Sequence, residues 1–243
     1  MSTDCLNCPL RSLSIFSEMT AAEVDFMRQF KSGELRVAPG TPILSETSRS
    51  PQLFTVLSGM GLRYKTLPDG RRQVINFLMP GDFIGLQGAV AAEMGHSVVA
   101  STDMTLCVFQ RSEFLSLFQS EPQRAYDVTW LAATEEHFLG EALASIGQRS
   151  AIERVAWGLS QIWERANRLK LTEGDTLDFP FRQQDLADTL GLSLVHTNKT
   201  LAKLRERELA TWTDRKLRII DLAGLRGLAM AGKGACLAER PLM

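Results

Sequence analysis

Residues 184–204, QDLADTLGLSLVHTNKTLAKL, contain two short amphipathic segments separated by Gly191. Gly191 tolerates the positive φ that a tight turn between two helices requires, and Ser193 is a suitable N-cap for the second segment. The first segment, Gln183 to Leu190, carries apolar side chains at a spacing that places them on one helix face. These are Leu186, Ala187 and Leu190. The stretch therefore predicts a helix-turn-helix.

The second segment divides into an inward and an outward face. Spacing of three and four residues predicts Thr197, Leu201 and Leu204 as the inward side chains. In DNA-binding helix-turn-helix motifs the N-terminal part of this helix enters the major groove. Asn198 can pair with adenine, and Lys199 can reach guanine or a phosphate. The predicted DNA-contacting residues are Ser193, Leu194, Val195, His196, Asn198, Lys199 and Lys203.

Local charge supports contact with a polyanion. The whole chain has a net charge of −1, whereas residues 193–219 hold seven basic and three acidic residues, a balance of 7 − 3 = +4. Residues 210–221, ATWTDRKLRIID, predict a hairpin that turns at Asp214. A helix, a helix-turn-helix and a hairpin in this order are typical of a winged helix. The alternative, an ordinary solvated helix face, accounts for the charges but not for the hairpin.

Residues 33–118 follow a strand-like pattern in which short apolar runs alternate with turn dipeptides such as Asp69-Gly70. An Asp-Gly pair between two such runs is a strong hairpin signal. About eight short strands with regular turns predict an antiparallel jelly roll. Upstream, residues 19–31 predict a helix capped by Thr20 and Glu23. The predicted fold class is therefore α+β.

Residues 122–147 predict one long helix with an apolar stripe. A helix of this length exceeds what one small barrel covers, so we expect part of it to pair with its twin in a homodimer. The alternative is that the helix packs wholly on its own chain. The predicted dimerisation residues are Val128, Leu131, Glu135, Phe138, Ala142 and Ile146.

The predicted domain organisation has four parts. Residues 1–121 form a sensor-type jelly roll with an N-terminal helix, 122–147 the dimerisation helix, 148–230 the winged helix-turn-helix, and 231–243 a tail. Residues 172–178 are expected to form a loop. The sequence has no apolar run near twenty residues, and its N-terminus is too polar for a signal peptide. We therefore expect a cytoplasmic protein without a membrane partner.

Two stretches resemble the Crp/Fnr family of bacterial transcription regulators. They are LSGMGLRYKTLPDGRRQVINFLMPGDFIGLQ (57–87) and RQQDLADTLGLSLVHTNKTLAKLRERELA (182–210), and the resemblance extends over roughly residues 10–230. It implies a cyclic-nucleotide-binding-type jelly roll, a dimer helix and a winged helix-turn-helix. It also implies a homodimer that binds a palindromic promoter site in double-stranded DNA and contacts RNA polymerase. Similarity to FixK/Fnr-like members implies an activator in redox-, oxygen- or nitrogen-related control.

The barrel departs from the family members that bind cyclic AMP. Those members have a glutamate directly after GDFIG and an Arg-Ser pair ten residues further on. Here Leu86 follows GDFIG (81–85), and His96 precedes Ser97. Leucine cannot accept a hydrogen bond from a ribose hydroxyl, and histidine lacks the bidentate fork of arginine. A cyclic-nucleotide-dependent regulator is therefore only the alternative interpretation.

The cysteines match a second family cofactor in part. Oxygen-sensing Fnr proteins bind a [4Fe–4S] cluster through four cysteines, and Cys5, Cys8 and Cys107 match three of those positions. The remaining position is Ser14, and Cys236 lies far away in the tail. Because a standard cluster needs four thiolates or a substitute ligand, we expect no cofactor and no metal. A cluster-dependent sensor on the same scaffold is the other alternative.

The second helix also departs from the family pattern. The family's usual glutamate, serine or glycine, and arginine are replaced by Val195, Asn198 and Lys199. Because valine cannot accept a hydrogen bond from cytosine, the half-site is expected to differ from the family's usual core.

A metal-dependent jelly-roll enzyme needs several histidines in the barrel, and only His96 lies there. We therefore expect a protein that is not an enzyme.

Overall fold

The computed structural model describes residues 2–230 and 239–243, which form two compact units. The barrel unit comprises residues 2–71, 75–134 and 239–243, and the winged unit comprises 72–74 and 135–230. Most of the predicted tail, 231–238 with Cys236, lies outside the described residues. Among the described residues, none of the helices combines the length and apolar character needed to cross a membrane.

The barrel unit begins with two short 3-10 turns, Cys5–Asn7 and Pro9–Ser12, followed by α1, Ala21–Phe30. The predicted capping box at the start of α1 is confirmed. The Thr20 amide donates to Glu23 Oε2 at 2.7 Å, and the Glu23 amide donates to Thr20 Oγ1 at 3.3 Å. These bonds satisfy amides that have no partner within the helix, and so fix where α1 begins.

Eight strands form two four-stranded sheets, ordered β1-β8-β3-β6 and β2-β7-β4-β5, which confirms the predicted jelly roll. Side chains from both sheets, such as Phe54, Val98 and Leu106, share one buried core. The predicted Asp69-Gly70 turn joins β4 to β5, with Gly70 at φ +83°. The strands are β1 Lys31–Val37, β2 Pro42–Leu44, β3 Gln52–Ser58, β4 Gly61–Thr66, β5 Arg72–Leu78, β6 Phe83–Ile84, β7 Ser97–Ala100 and β8 Met104–Gln110.

Three helices follow β6 and β8. Two short ones, α2 Leu86–Ala91 and α3 Phe114–Ser120, were not predicted. The long helix α4, Pro122–Gln148, confirms the predicted span and passes from the barrel unit into the winged unit after Thr134.

The predicted dimerisation stripe on α4 is partly used inside the chain. Val128 is 4% exposed and belongs to the apolar cluster of the barrel unit, against which Leu131 packs. In the winged unit the Phe138 ring stacks on Trp157, with centroids 6.2 Å apart. The assignment of Val128 to a surface for a second chain is therefore corrected, because its own unit already covers it. Other apolar residues of α4 remain exposed: Tyr126, Leu139 and Leu143.

The winged unit continues from Ser150, whose amide donates to Glu153 Oε2 at 2.7 Å in a helix cap. Its sheet has the order β11-β12-β10-β9. The expected loop over 172–178 is wrong: the segment is a hairpin that turns at Gly174 and pairs with β12. The reason is that Leu177, in the second strand of this hairpin, is fully buried and pairs with Leu217. The elements are α5 Ala151–Arg168, β9 Thr172–Glu173, β10 Thr176–Asp178, α6 Gln183–Leu190, α7 Leu194–Glu206, β11 Ala210–Thr213, β12 Lys216–Ile219 and α8 Leu222–Leu228.

Candidate nucleic-acid interface

The turn between α6 and α7 is fixed by packing on its inner side. Gly191 has φ +64° and ends α6 in the left-handed conformation that the sequence predicts. The α6 side chains Leu186, Ala187 and Leu190 are fully buried, as predicted. Gly158 of α5 lies so close that a Cβ there would be 3.3 Å from Leu190 Cδ2. The small residue on α5 therefore allows α6 to approach closely.

The inner face of α7 confirms most of the prediction. Thr197 and Leu204 are fully buried, and Leu201 is half-buried. Thr200 was not predicted to face inward but is also buried. Its hydroxyl donates to the His196 carbonyl at 2.8 Å. This bond within the helix lets a polar side chain occupy an inner position.

The outer face of α7 carries the predicted contact residues. Ser193 caps the helix, because its Oγ accepts from the His196 amide at 3.2 Å. Val195 is 65% exposed, so burial does not account for its apolar side chain. All seven predicted contact residues are exposed: Ser193, Leu194, Val195, His196, Asn198, Lys199 and Lys203. Amide, imidazole and ammonium groups are therefore presented together with apolar Leu194 and Val195.

The wing, which follows α7 in the sequence, is a tight hairpin. Asp214 and Arg215 have φ values of +50° and +60°, which confirms the predicted turn. Two consecutive positive φ values are typical of a two-residue hairpin turn. Trp212 is buried and packs edge-on against Phe179, with ring centroids 4.9 Å apart. Aromatic packing thus holds the base of the wing while its tip stays exposed.

Two of the basic residues counted between positions 193 and 219 pair with acidic residues outside that range. Arg218 Nε lies 2.6 Å from Asp175 Oδ2, and Lys216 Nζ lies 3.7 Å from Asp178 Oδ1. The hydrogen bond from Arg218 lowers the pKa of Asp175. Including both acids changes the balance to 7 − 5 = +2. The sequence did not predict these ion pairs, because β10 lies beside β12 only in the folded sheet. The other basic residues of the region are exposed: Lys199, Lys203, Arg205, Arg207 and Arg215.

The barrel residues that replace the family's nucleotide ligands do not fit a cyclic nucleotide. Leu86 packs against an apolar cluster, where it offers no acceptor to a ribose hydroxyl. His96 is 7% exposed, and its Nε2 has no hydrogen-bond partner among the described residues. Burial, with the charges of Arg63 and Lys65, lowers the pKa of His96 to about 3. Unlike the guanidinium of arginine, this imidazole supplies neither a permanent positive charge nor a bidentate fork for a cyclic phosphate.

Three cysteines come together in the barrel unit. Cys5, Cys8 and Cys107 line one cavity of about 40 Å³, which Lys31 also lines. Burial raises the pKa of Cys107 to about 11 and also raises the pKa of Cys5, so both thiols stay protonated near neutral pH. The structure therefore unites the three predicted thiols, while exposed Ser14 is not part of the lining.

This cavity does not fit a four-iron cluster. A volume of 40 Å³ accommodates a few water molecules at about 10–15 Å³ each, not four irons with four sulfides. Among the described residues, no group of three histidine, cysteine or acidic side chains is arranged to hold a metal ion. A fourth thiolate is also missing from the lining.

The chain is similar to known proteins in both of its domains and along most of its length. The chain matches two family models, a cyclic nucleotide-binding domain over residues 34–121 and a Crp-like helix-turn-helix domain over residues 153–228. It is 32% identical over 229 residues to the nitrogen fixation regulation protein FixK of Bradyrhizobium diazoefficiens, covering 93% of this chain and 94% of that protein. It is 30% identical to the transcriptional activatory protein AadR of Rhodopseudomonas palustris, covering 93% and 92%. The structure of FixK2 from Bradyrhizobium japonicum has the same fold, with a TM-score of 0.73 at 24% identity over 82% of this chain and 98% of that chain.

The buried His96 predicts a pH dependence of folding stability. Its pKa is lowered to about 3 in the fold, so below pH 6.5 the unfolded chain takes up a proton that the folded chain does not. Stability should therefore be fully present above pH 6.5 and fall toward pH 3, by up to about 1.4 kcal/mol per pH unit from this residue. Urea titrations across this window should show a shallower decline for His96→Gln. The matched control His137→Gln, at an exposed site, should follow the wild type, and a His96→Gln curve parallel to the wild type would contradict the prediction.

Proposed function

Since the chain belongs to the Crp/Fnr family of transcription regulators, we propose that it is a homodimeric activator that binds a palindromic promoter site through α7. It is a DNA-binding transcription regulator and, like its relatives, not an enzyme. The observation that carries the proposal is the exposed face of α7, which the buried faces of α6 and α7 direct to solvent.

Base recognition is assigned to the N-terminal half of α7. Asn198 can make two hydrogen bonds to adenine N6 and N7, and Lys199 can donate to guanine O6 and N7. Val195 offers a methyl-sized apolar contact for thymine, while His196 can donate or accept at a base edge or a phosphate. Without the glutamate of the usual family set, the half-site differs from those of relatives that retain it.

Phosphate contacts are assigned to the exposed cations that follow. Lys203, Arg205 and Arg207 continue α7 toward its C-terminus, and Arg215 stands at the tip of the wing. Arg218 is excluded from this group, because Asp175 already accepts from its guanidinium. Each phosphate that is neutralised contributes about 0.9 to the slope of log affinity against log salt concentration.

The dimer is assigned to the face of α4 that its own chain leaves open. Leu139 is 45% exposed and Leu143 is 73% exposed, one helical turn apart. Pairing of this face with its twin would bury both side chains in a coiled-coil-like seam. A two-fold axis along the seam relates two copies of α7, and two-fold symmetric proteins bind palindromic half-sites about one helical turn apart.

The names of the relatives support a proposal for how this chain acts and which genes it controls. The relatives include a nitrogen fixation regulation protein, a transcriptional activatory protein, and the transcriptional activator protein FnrL of Cereibacter sphaeroides. We assign this chain the same output, activation through contact with RNA polymerase in the cytoplasm. The controlled genes are assigned to nitrogen-, oxygen- or redox-related metabolism.

The DNA-binding assignment is tested with Lys199→Ala. Loss of one groove contact should weaken binding to DNA selected by the wild type by roughly fivefold or more, about 1–3 kcal/mol. If Lys199 contacts a phosphate instead, binding should weaken on all sequences, and the salt slope should fall by about 1. Fluorescence anisotropy titrations at several salt concentrations measure both quantities.

The control for this test is Arg49→Ala, which removes one positive charge from the barrel unit at an exposed site. It should leave affinity and salt slope unchanged. Equal binding by wild type and Lys199→Ala would contradict the assignment of α7, and equal losses in both variants would indicate a general charge effect.

The dimer assignment is tested with Leu143→Asp. A carboxylate in an apolar seam costs several kcal/mol when unpaired, so the variant should be monomeric by size-exclusion chromatography with light scattering. Its affinity for a palindromic site should fall with the loss of one half-site. Leu115→Asp on α3, where the leucine is 66% exposed, is the matched control and should stay dimeric. A dimeric Leu143→Asp protein would exclude this face of α4.

A further inference from the structure

The C-terminal residues of the chain dock onto the barrel unit. The Arg240 amide donates to the Ile15 carbonyl at 2.7 Å, and the Ser17 amide donates to the Arg240 carbonyl at 2.9 Å. The Arg240 guanidinium also lies 2.8 Å from Asp82 Oδ1, next to strand β6. Chain termini are usually frayed unless specific contacts hold them, so these bonds mark a real docking site.

The last two side chains are buried. Leu242 and Met243 are 4% and 5% exposed. Arg124 Nη1 donates to the Leu242 carbonyl at 3.4 Å, and Met243 joins the apolar cluster that contains Met27 and Phe109. This terminus therefore forms part of the core of the barrel unit.

The same two side chains form a wall of the three-cysteine cavity. Leu242 and Met243 line it together with Cys5, Cys8 and Cys107. The segment that carries Cys5 and Cys8 is also tied to the terminus a few residues later, through the backbone bonds of Ile15 and Ser17 to Arg240. Removal of the terminus would take away one wall of the cavity and one restraint on the segment that forms another.

We propose that residues 239–243 are an internal ligand that closes the three-cysteine cavity and controls the access of small soft electrophiles to Cys5, Cys8 and Cys107. The three thiols then form a gated modification site. Because the docked residues belong to the same chain, they act at a high effective concentration and keep this side of the site covered without any added partner. The proposal does not depend on the DNA-binding function.

The rate of alkylation by iodoacetamide measures how accessible the three cavity thiols are. The sulfur of a deprotonated thiol attacks the iodine-bearing carbon, an S–C bond forms, iodide leaves, and the thiol proton goes to solvent. The experiment uses the full chain with Cys236→Ser, so that every adduct reports on the three cavity thiols. Mass spectrometry of peptides gives a separate rate for each cysteine.

Truncation after residue 238 should raise the alkylation rates of Cys5 and Cys107 by several-fold, because both thiols are only partly exposed and Leu242 and Met243 form one wall of their cavity. Two full-length variants test the same contacts without truncation, so that their result does not depend on whether the truncated chain folds. Arg240→Gln removes the charged anchor to Asp82, and Met243→Ser replaces the buried terminal side chain with a polar one. Both should raise the rates in the same direction.

The matched control is Arg226→Gln, which removes an arginine–carboxylate pair with Glu164 in the winged unit. Its alkylation rates should equal those of the parent chain. The proposal is overturned if Arg240→Gln and Met243→Ser, shown to be folded by circular dichroism, alkylate at the parent rate. It is also overturned if the control variant accelerates as much as they do.

Discussion

Burial of the apolar sides of α6 and α7 is the constraint on which the function of this chain depends. Leu186, Leu190 and Leu204 have no measurable exposure, and Gly191 supplies the left-handed turn that lets both helices bury them. Rotation of α7 about its axis would bring Lys199 toward the core and expose Leu204, at a cost of several kcal/mol. The direction of the proposed DNA-contacting face is therefore set by side chains on the opposite, buried side of the two helices.

This arrangement separates the scaffold from the residues that we propose contact DNA. Packing restricts the inner positions of α7 to residues such as Thr197 and Leu204, whereas Val195, Asn198 and Lys199 are constrained only by what they contact. A chain can thus retain the family fold while its operator sequence changes. The same separation appears in the barrel, where Leu86 and a neutral His96 preserve packing at positions that hold nucleotide ligands in cyclic-AMP-binding relatives.

Features encoded by adjacent residues could be predicted from the sequence. The caps at Thr20 and Ser150, the Asp69-Gly70 turn and the wing turn at Asp214 each depend on side chains a few residues apart. The features that the sequence did not predict lie where distant segments of the chain meet. Pairing of β10 with β12 brings Asp175 to Arg218, a contact across 43 residues, and the terminus returns to Ile15 across more than two hundred. No periodicity within one segment signals such contacts.

Methylation interference on DNA selected by the protein from random sequence tests the placement of α7 most directly. Dimethyl sulfate modifies guanine N7 in the major groove and adenine N3 in the minor groove. We expect guanine N7 methylation within two half-sites, centred about 10 base pairs apart, to block binding. Interference confined to adenine N3, or binding that methylation of neither groove affects, would contradict the major-groove placement of α7.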